Sequence, residues 1–274
     1  MALLPLIILA LVQGLTEFLP VSSSGHLILV HAAFDQAKDW DQRLILDVAV
    51  HAGTLLSVLV YFRRDVLKMA LGLLSWAKGD FKSEGAALNI YVLLASIPVI
   101  LAGFALNAIK PSWLLLVEIM AWSTLIFGIV LWIADKKGTQ DKSLKDINLK
   151  DALIIGLAQT LALIPGTSRS GITMTAGRFL GYSRTESAHF SLLLAIIAIA
   201  GAGTLAGIEL IQSGSVDLGL DALIAAAVSF ITAWLSIAIM MKWLEKSSFT
   251  PFAIYRIILG IVLLAGLYGD LWSN

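Results

Sequence analysis

The sequence predicts an all-α integral membrane protein: six transmembrane helices plus two re-entrant helical hairpins in an inverted-topology repeat. Three observations carry this. The 274-residue chain is 58% hydrophobic and only 14% charged, where a soluble domain carries about a quarter charged residues. Six apolar segments approach the roughly 20 residues that cross a bilayer. Two further apolar stretches are interrupted by Pro, Gly and Ser, and the two interruptions align with each other.

The spans fall at 44–62, 88–108, 113–134, 186–207, 221–242 and 251–270. The first is the weakest, because it carries Asp47 and His51. Residues 2–34 and 152–181 read differently: a short helix, a break (VSSSG or PGTSRSG) and another short helix. The second arms are too short to cross, which favours hairpins over kinked spans. Non-helical backbone at membrane depth is tolerated where it is buried in protein or lines a wet cavity. The N-terminal apolar run lacks a basic n-region and a small-residue cleavage site, so it reads as mature protein rather than a signal peptide.

Orientation follows from Lys/Arg asymmetry. Arg63, Arg64, Lys68, Lys78 and Lys82 share one loop, and Lys136, Lys137, Lys142, Lys145 and Lys150 another. Arg184, Lys242 and Lys246 fall on the same side, which is expected to be cytoplasmic. The opposite side receives Lys38, Arg43 and Lys110 beside Asp35, Asp39, Asp41, Glu209, Asp217 and Asp221. Both termini then lie outside, with the first hairpin entering from outside and the second from the cytoplasm. The chain divides into a first half at 1–135, a basic cytoplasmic linker at 136–150 and a second half at 151–270, all in one membrane domain.

The halves repeat weakly. Gln13 and Gln159 precede Gly25 and Gly171 by the same offset. Ser22 aligns with Ser168 and Ser24 with Ser170, while Arg169 stands where Ser23 does; Pro20 and Pro165 are one residue out of step. Similar segments entering from opposite sides define an inverted repeat, which brings broken-helix tips together near the midplane.

Those tips hold the candidate site. A charge within the bilayer is costly and is usually paired or faces a polar cavity. Glu17 and Arg169 stand at corresponding breaks and are natural partners, whether as a structural pair or as a site. Ser, Gly and Arg at a helix break suit a phosphate, through free backbone N–H groups and a guanidinium fork. A carboxylate repels phosphate, so Glu17 implies a divalent cation, a proton, or both. Gln13, one turn earlier on the same face, supplies a neutral second ligand. Ser23 or His26 has the chemistry to attack phosphorus, with Glu17 orienting His26 or holding metal.

Other polar residues read more plainly. His31 and His51 read as packed or interfacial, and Asp47 as either facing the cavity or capping a helix. Glu118 implies a buried partner that spacing does not identify. Ser183 to Glu186 reads as an N-cap with a capping box. Arg256 reads as snorkelling to the cytoplasmic interface, with support of the core as the alternative. Gly203-xxx-Gly207 permits tight helix packing, within the chain or between copies in a homodimer. Zero net charge gives no sign of nucleic acid, and with no cysteine there is no disulfide, zinc–thiolate site or Cys nucleophile.

GLTEFLPVSSSGH and PGTSRSG resemble the two signature motifs of the undecaprenyl-diphosphate phosphatase (bacitracin resistance protein) family, and FTPFAIYR resembles a third shared stretch. The resemblance spans essentially the whole chain. It implies hydrolysis of undecaprenyl diphosphate to undecaprenyl phosphate and phosphate, recycling the lipid carrier for peptidoglycan. It also implies an active site at the outer face of the bacterial cytoplasmic membrane, facing the periplasm or cell exterior. The motifs cover Ser22, Ser23, Ser24, Gly25, His26, Ser168, Arg169 and Ser170. Where relatives carry two carboxylates, this chain has Gln13 and Glu17, which puts a two-carboxylate metal site in doubt. The combined expectation is a phosphatase with Ser23 as nucleophile and His26 as base or leaving-group acid. Arg169, the serines and backbone N–H groups would bind the diphosphate, and Mg or Ca would sit near Glu17. The competing expectation is a transporter or flippase of a polyprenyl phosphate lipid, since inverted repeats with broken helices are also transporter architecture.

Overall fold

The computed structural model describes residues 3–34, 40–109, 111–213 and 219–269. The described residues are helical with short connections: α1 (Leu3–Thr16), α2 (Ser23–Ala33), α3 (Trp40–Tyr61), α4 (Arg63–Ala77), α5 (Glu84–Ile109), α6 (Val117–Lys137), α7 (Leu149–Thr160), α8 (Arg169–Phe179), α9 (Arg184–Ser213), α10 (Leu220–Leu244) and α11 (Thr250–Tyr268). The chain is an all-α membrane protein, as its composition requires. Lys38, Lys110, Asp35, Asp39 and Asp217, which bear on orientation, lie outside the described residues, as do the side chains of Asp41, Arg43 and Glu209.

Among the described residues, five helices (α5, α6, α9, α10 and α11) are each long and apolar enough to cross a bilayer. The expected span at 44–62 qualifies only when residues 45–61 are counted together with α4 across an 86° bend. Both interrupted stretches form paired short helices. Their arms hold 14 and 11 residues in the first pair and 12 and 11 in the second. At 1.5 Å per residue each arm is about 16–21 Å long, well short of a hydrocarbon core about 30 Å thick.

Helix α4 corrects the sequence reading, which treated residues 63–82 as a basic loop. Its charges hide an amphipathic helix: Leu67, Leu71, Leu73 and Leu74 are more than half exposed. It lies nearly perpendicular to the helix before it and packs on α5, where Asn89 donates to the Met69 carbonyl at 2.7 Å.

Packing is organised around the hairpins. The first arm α1 lies on α10, and α7 lies on α5. Both contacts are so close that a β-carbon on Gly14 would stand 2.8 Å from the Ser229 carbonyl oxygen, and one on Gly156 2.5 Å from that of Ala95. Further contacts pair α3 with α10 and α9, and α6 with α11 and α8.

The basic end of the bundle is tied by a buried carboxylate that the sequence reading passed over. Asp135, at the end of α6, accepts from Arg184 Nε at 2.6 Å and from the Phe249 backbone N–H at 3.1 Å, and lies 3.6 Å from Arg178 Nε. Arg178 is fully buried and donates to the Gly138, Thr139 and Tyr182 carbonyls. One acid thus joins α6, α8, α9 and the start of α11. The linker, read as a solvated loop, is more ordered than that. Lys142 bonds Asp151 at 3.0 Å, and its backbone bridges to Tyr182. The Ser143 N–H and hydroxyl hold the Asp146 carboxyl below its ordinary range. Ser183 caps α9 by accepting from the Glu186 N–H at 3.2 Å, but Glu186 reaches to the Leu144 N–H instead of closing a capping box.

Candidate active site

The two breaks share an unusual backbone. Among the described residues, only Ser22 (φ 75°) and Ser168 (φ 69°) are non-glycine residues at positive φ, and they are the aligned pair of the repeat. Such conformations cost about 1–3 kcal/mol each and concentrate at functional sites. In the first break α1 ends at Thr16, and the chain turns through Pro20 to reach α2 at Ser23. In the second, Gly166 (φ 89°) turns the chain and Ser168 caps α8, its Oγ accepting from the Gly171 N–H at 3.1 Å. Each break therefore ends by presenting the N-terminus of a short helix.

The tips meet. Glu17 accepts three hydrogen bonds: from Gln13 Nε2 at 3.0 Å, from Ser23 Oγ at 2.7 Å and from Arg169 Nη2 at 3.1 Å. Arg169 also donates to the Ser191 carbonyl of α9 at 3.1 Å. Ser170 Oγ donates to the Leu19 carbonyl at 2.8 Å, a second link between the breaks, and lies 3.1 Å from Ser168 Oγ. The charged pair is nearly closed off, with side chains 9% (Glu17) and 15% (Arg169) exposed. Ser22 is buried with its hydroxyl unpartnered, Ser24 is exposed on α2, and Gly25 is buried against Met120.

His26 hydrogen-bonds to groups other than Glu17 and Ser23. Its Nδ1 meets the Ser22 carbonyl at 2.7 Å and its Nε2 the Tyr255 hydroxyl at 2.6 Å. The orientation of His26 by Glu17 considered from sequence is absent from this geometry; the acceptor for the Ser23 hydroxyl is Glu17.

Helix α11 contributes two neighbouring residues that sequence reasoning undervalued. Tyr255 meets the first break through His26. Arg256 was expected to snorkel; instead it is fully buried, and its Nη2 donates to the Gly166 and Thr167 carbonyls at 2.9 and 2.8 Å. It satisfies carbonyls that the positive-φ turn leaves without helical partners. The signal was there in FTPFAIYR, but spacing alone does not link it to a break 90 residues earlier.

The remaining polar residues resolve into pairs. Buried His31 meets Asp47 at 3.1 Å, joining α2 to α3. His51 Nδ1 meets the Asp47 carbonyl at 2.6 Å. Glu118 accepts from the Tyr268 hydroxyl of α11.

The donor set suits a hard cation in kind. Glu17 offers carboxylate oxygens, and the buried Gln13 Oε1, facing away from the amide that bonds Glu17, has no partner. Oxygen ligands of this type hold Mg or Ca, with phosphate and water completing the shell. No group of three or more His, Asp or Glu side chains with metal-binding geometry occurs among the described residues.

Apolar helices, and two breaks that meet at a buried Glu–Arg–Ser cluster, mark a polytopic membrane protein with a polar centre between its broken helices. The family model described as bacitracin resistance protein BacA matches residues 6–262, and the chain belongs to that family. Similar curated proteins include an undecaprenyl-diphosphatase of Ruegeria pomeroyi, 46% identical over 98% of this chain and 100% of the relative. That of Roseobacter denitrificans is 45% identical over the same shares, and that of Teredinibacter turnerae 44% identical over 96% of this chain and 98% of the relative.

Proposed function

We propose that this chain hydrolyses undecaprenyl diphosphate to undecaprenyl phosphate and inorganic phosphate, as its relatives' name describes. The observation that carries the chemistry is the Ser23–Glu17–Arg169 chain of contacts, which joins a hydroxyl, a proton acceptor and a phosphate-binding cation across the two breaks. The substrate's terminal phosphoryl group lies between the N-termini of α2 and α8, where N–H groups face an anion. Arg169, the serine hydroxyls and these N–H groups hold its oxygens.

Ser23 attacks the terminal phosphorus. Its proton passes to Glu17, which already accepts the hydroxyl bond, and undecaprenyl phosphate leaves. Water then hydrolyses the phosphoserine and restores the hydroxyl, so the net reaction consumes one water. His26, at the exposed edge of the site, meets the departing or arriving phosphate oxygen. A divalent cation, held by Glu17 and Gln13 Oε1 together with the diphosphate, would supply charge neutralisation. With one carboxylate in place of two, that cation depends more on the substrate's own oxygens.

The repeated order of hairpin and spans, and the matching φ at Ser22 and Ser168, support an inverted repeat divided at the 136–150 linker. The Lys/Arg asymmetry supports a site open to the periplasm or cell exterior, in the cytoplasmic membrane of a bacterium. The prenyl chain would lie between helices, in contact with membrane lipids.

The experiment is phosphate release from undecaprenyl diphosphate by purified protein in detergent. Release that EDTA abolishes and Mg or Ca restores is the expected result. Absence of release with either metal, together with movement of a polyprenyl phosphate across vesicles, would establish the transporter reading instead.

A further inference from the structure

We propose that Tyr255 is a positioning residue for this reaction: it fixes the tautomer and ring orientation of His26, with the proton on Nδ1 and Nε2 as the accepting nitrogen. Three observations argue this. A backbone carbonyl can only accept, so the Ser22 oxygen 2.7 Å from Nδ1 requires the proton on Nδ1. In a neutral ring Nε2 is then bare, and the Tyr255 hydroxyl, 2.6 Å away, donates to it. The phenol ring also stacks on the imidazole, with centroids 5.7 Å apart and planes 15° from parallel. The ring is thus held at both nitrogens and on one face.

Each clamp has its own origin. The Ser22 carbonyl is held by the start of α2, where it also accepts from the His26 backbone N–H at 3.3 Å. The place of Tyr255 follows from Arg256 beside it, whose buried guanidinium anchors α11 to the second break. Tyr255 is 44% exposed, so Nε2 lies toward the protein surface, while Nδ1 is turned to the backbone of the first break. Tyr255 itself needs to touch no reacting atom; it acts through His26.

The kinetic arm of the test rests on the phosphatase reading, and the spectroscopic arm does not. The full chain in detergent, labelled with 15N-histidine, has its His26 signals assigned by their loss in His26→Gln. We expect the Nδ1–H tautomer in the parent protein and a changed Nε2 signal in Tyr255→Phe. An Nε2–H tautomer, or identical His26 signals in Tyr255→Phe, would overturn the proposal whatever the activity. In phosphate release, loss of one hydrogen bond predicts that Tyr255→Phe lowers kcat about fivefold with KM within about twofold. The same substitution should cost nothing more in a His26→Gln background. A merely structural role predicts full activity for Tyr255→Phe and a lowered Tm for Tyr255→Ala alone; that outcome, or an equal loss in both backgrounds, would also overturn it. If the parent protein releases no phosphate, the phosphatase reading fails while the tautomer result still decides this one.

Discussion

Glu17 is where the residue-level argument concentrates. Its carboxylate lies at the end of α1 with three donors converging on it, and one of them comes from the other half of the chain. A buried ion pair seldom repays its own desolvation, so a Glu–Arg pair that also binds a serine hydroxyl is better explained by chemistry than by stability. If Ser23 is the nucleophile, acid-quenched enzyme should carry phosphate on that residue, and Ser23→Ala should abolish the adduct. A phospho-adduct on His26 that persists in Ser23→Ala would reverse the assignment. The motif residues were legible from sequence because a carboxylate amid apolar residues is conspicuous. The role of Tyr255 was not legible. A half-exposed tyrosine near the start of a span looks like an ordinary interfacial anchor, and only the fold brings it to His26, 229 residues away.

Among the elements, the long apolar helices and the two pairs of short helices were legible from hydrophobic run length and from Pro/Gly/Ser punctuation. Run length measures how much lipid a segment can face, which is the dominant constraint in a bilayer. Helix α4 escaped the same criterion because Arg63, Arg64, Asp65, Lys68 and Lys78 bound its apolar residues, leaving no apolar run of spanning length. Asp135 escaped for another reason: beside Lys136 and Lys137 it reads as one charge in a polar loop, yet it is buried at the junction of four helices. Removing one member of a buried, hydrogen-bonded charge pair costs about 3–5 kcal/mol. Asp135→Ala should therefore destabilise the protein by about that much in denaturant unfolding. The folded fraction should keep its phosphate release, because Asp135 touches neither break.

For the whole molecule, the charge pattern supplies a direction that the helices alone do not. The basic residues of α4, the linker and the α8–α9 turn each meet an acid: Lys68 with Glu84, Lys142 with Asp151 and Arg184 with Asp135. Absence of cysteine makes the orientation directly measurable. In cells, Ser112→Cys, on the turn between α5 and α6, should react with a membrane-impermeant thiol reagent added outside. Asp141→Cys, exposed in the linker, should react only after lysis. The reverse pattern would place the site on the cytoplasmic face. In sequence the proposed repeat rests on a few aligned serines and glutamines, because spans tolerate exchange among Leu, Ile, Val and Ala and so retain little pairwise identity. Backbone conformation keeps a clearer trace, in the positive φ shared by Ser22 and Ser168.

The central claim is that two breaks, far apart in sequence, form one phosphate-transfer site. A double-mutant cycle on Glu17 and Arg169 tests it most directly, with kcat for phosphate release measured for Glu17→Gln, Arg169→Gln and the pair. Each single change should cost about 100-fold or more, the scale of losing one preorganised charge in an active site. The double variant should be no slower than the worse single, as groups acting as a unit behave. Losses that multiply, or near-normal turnover in either single variant, would contradict a shared site.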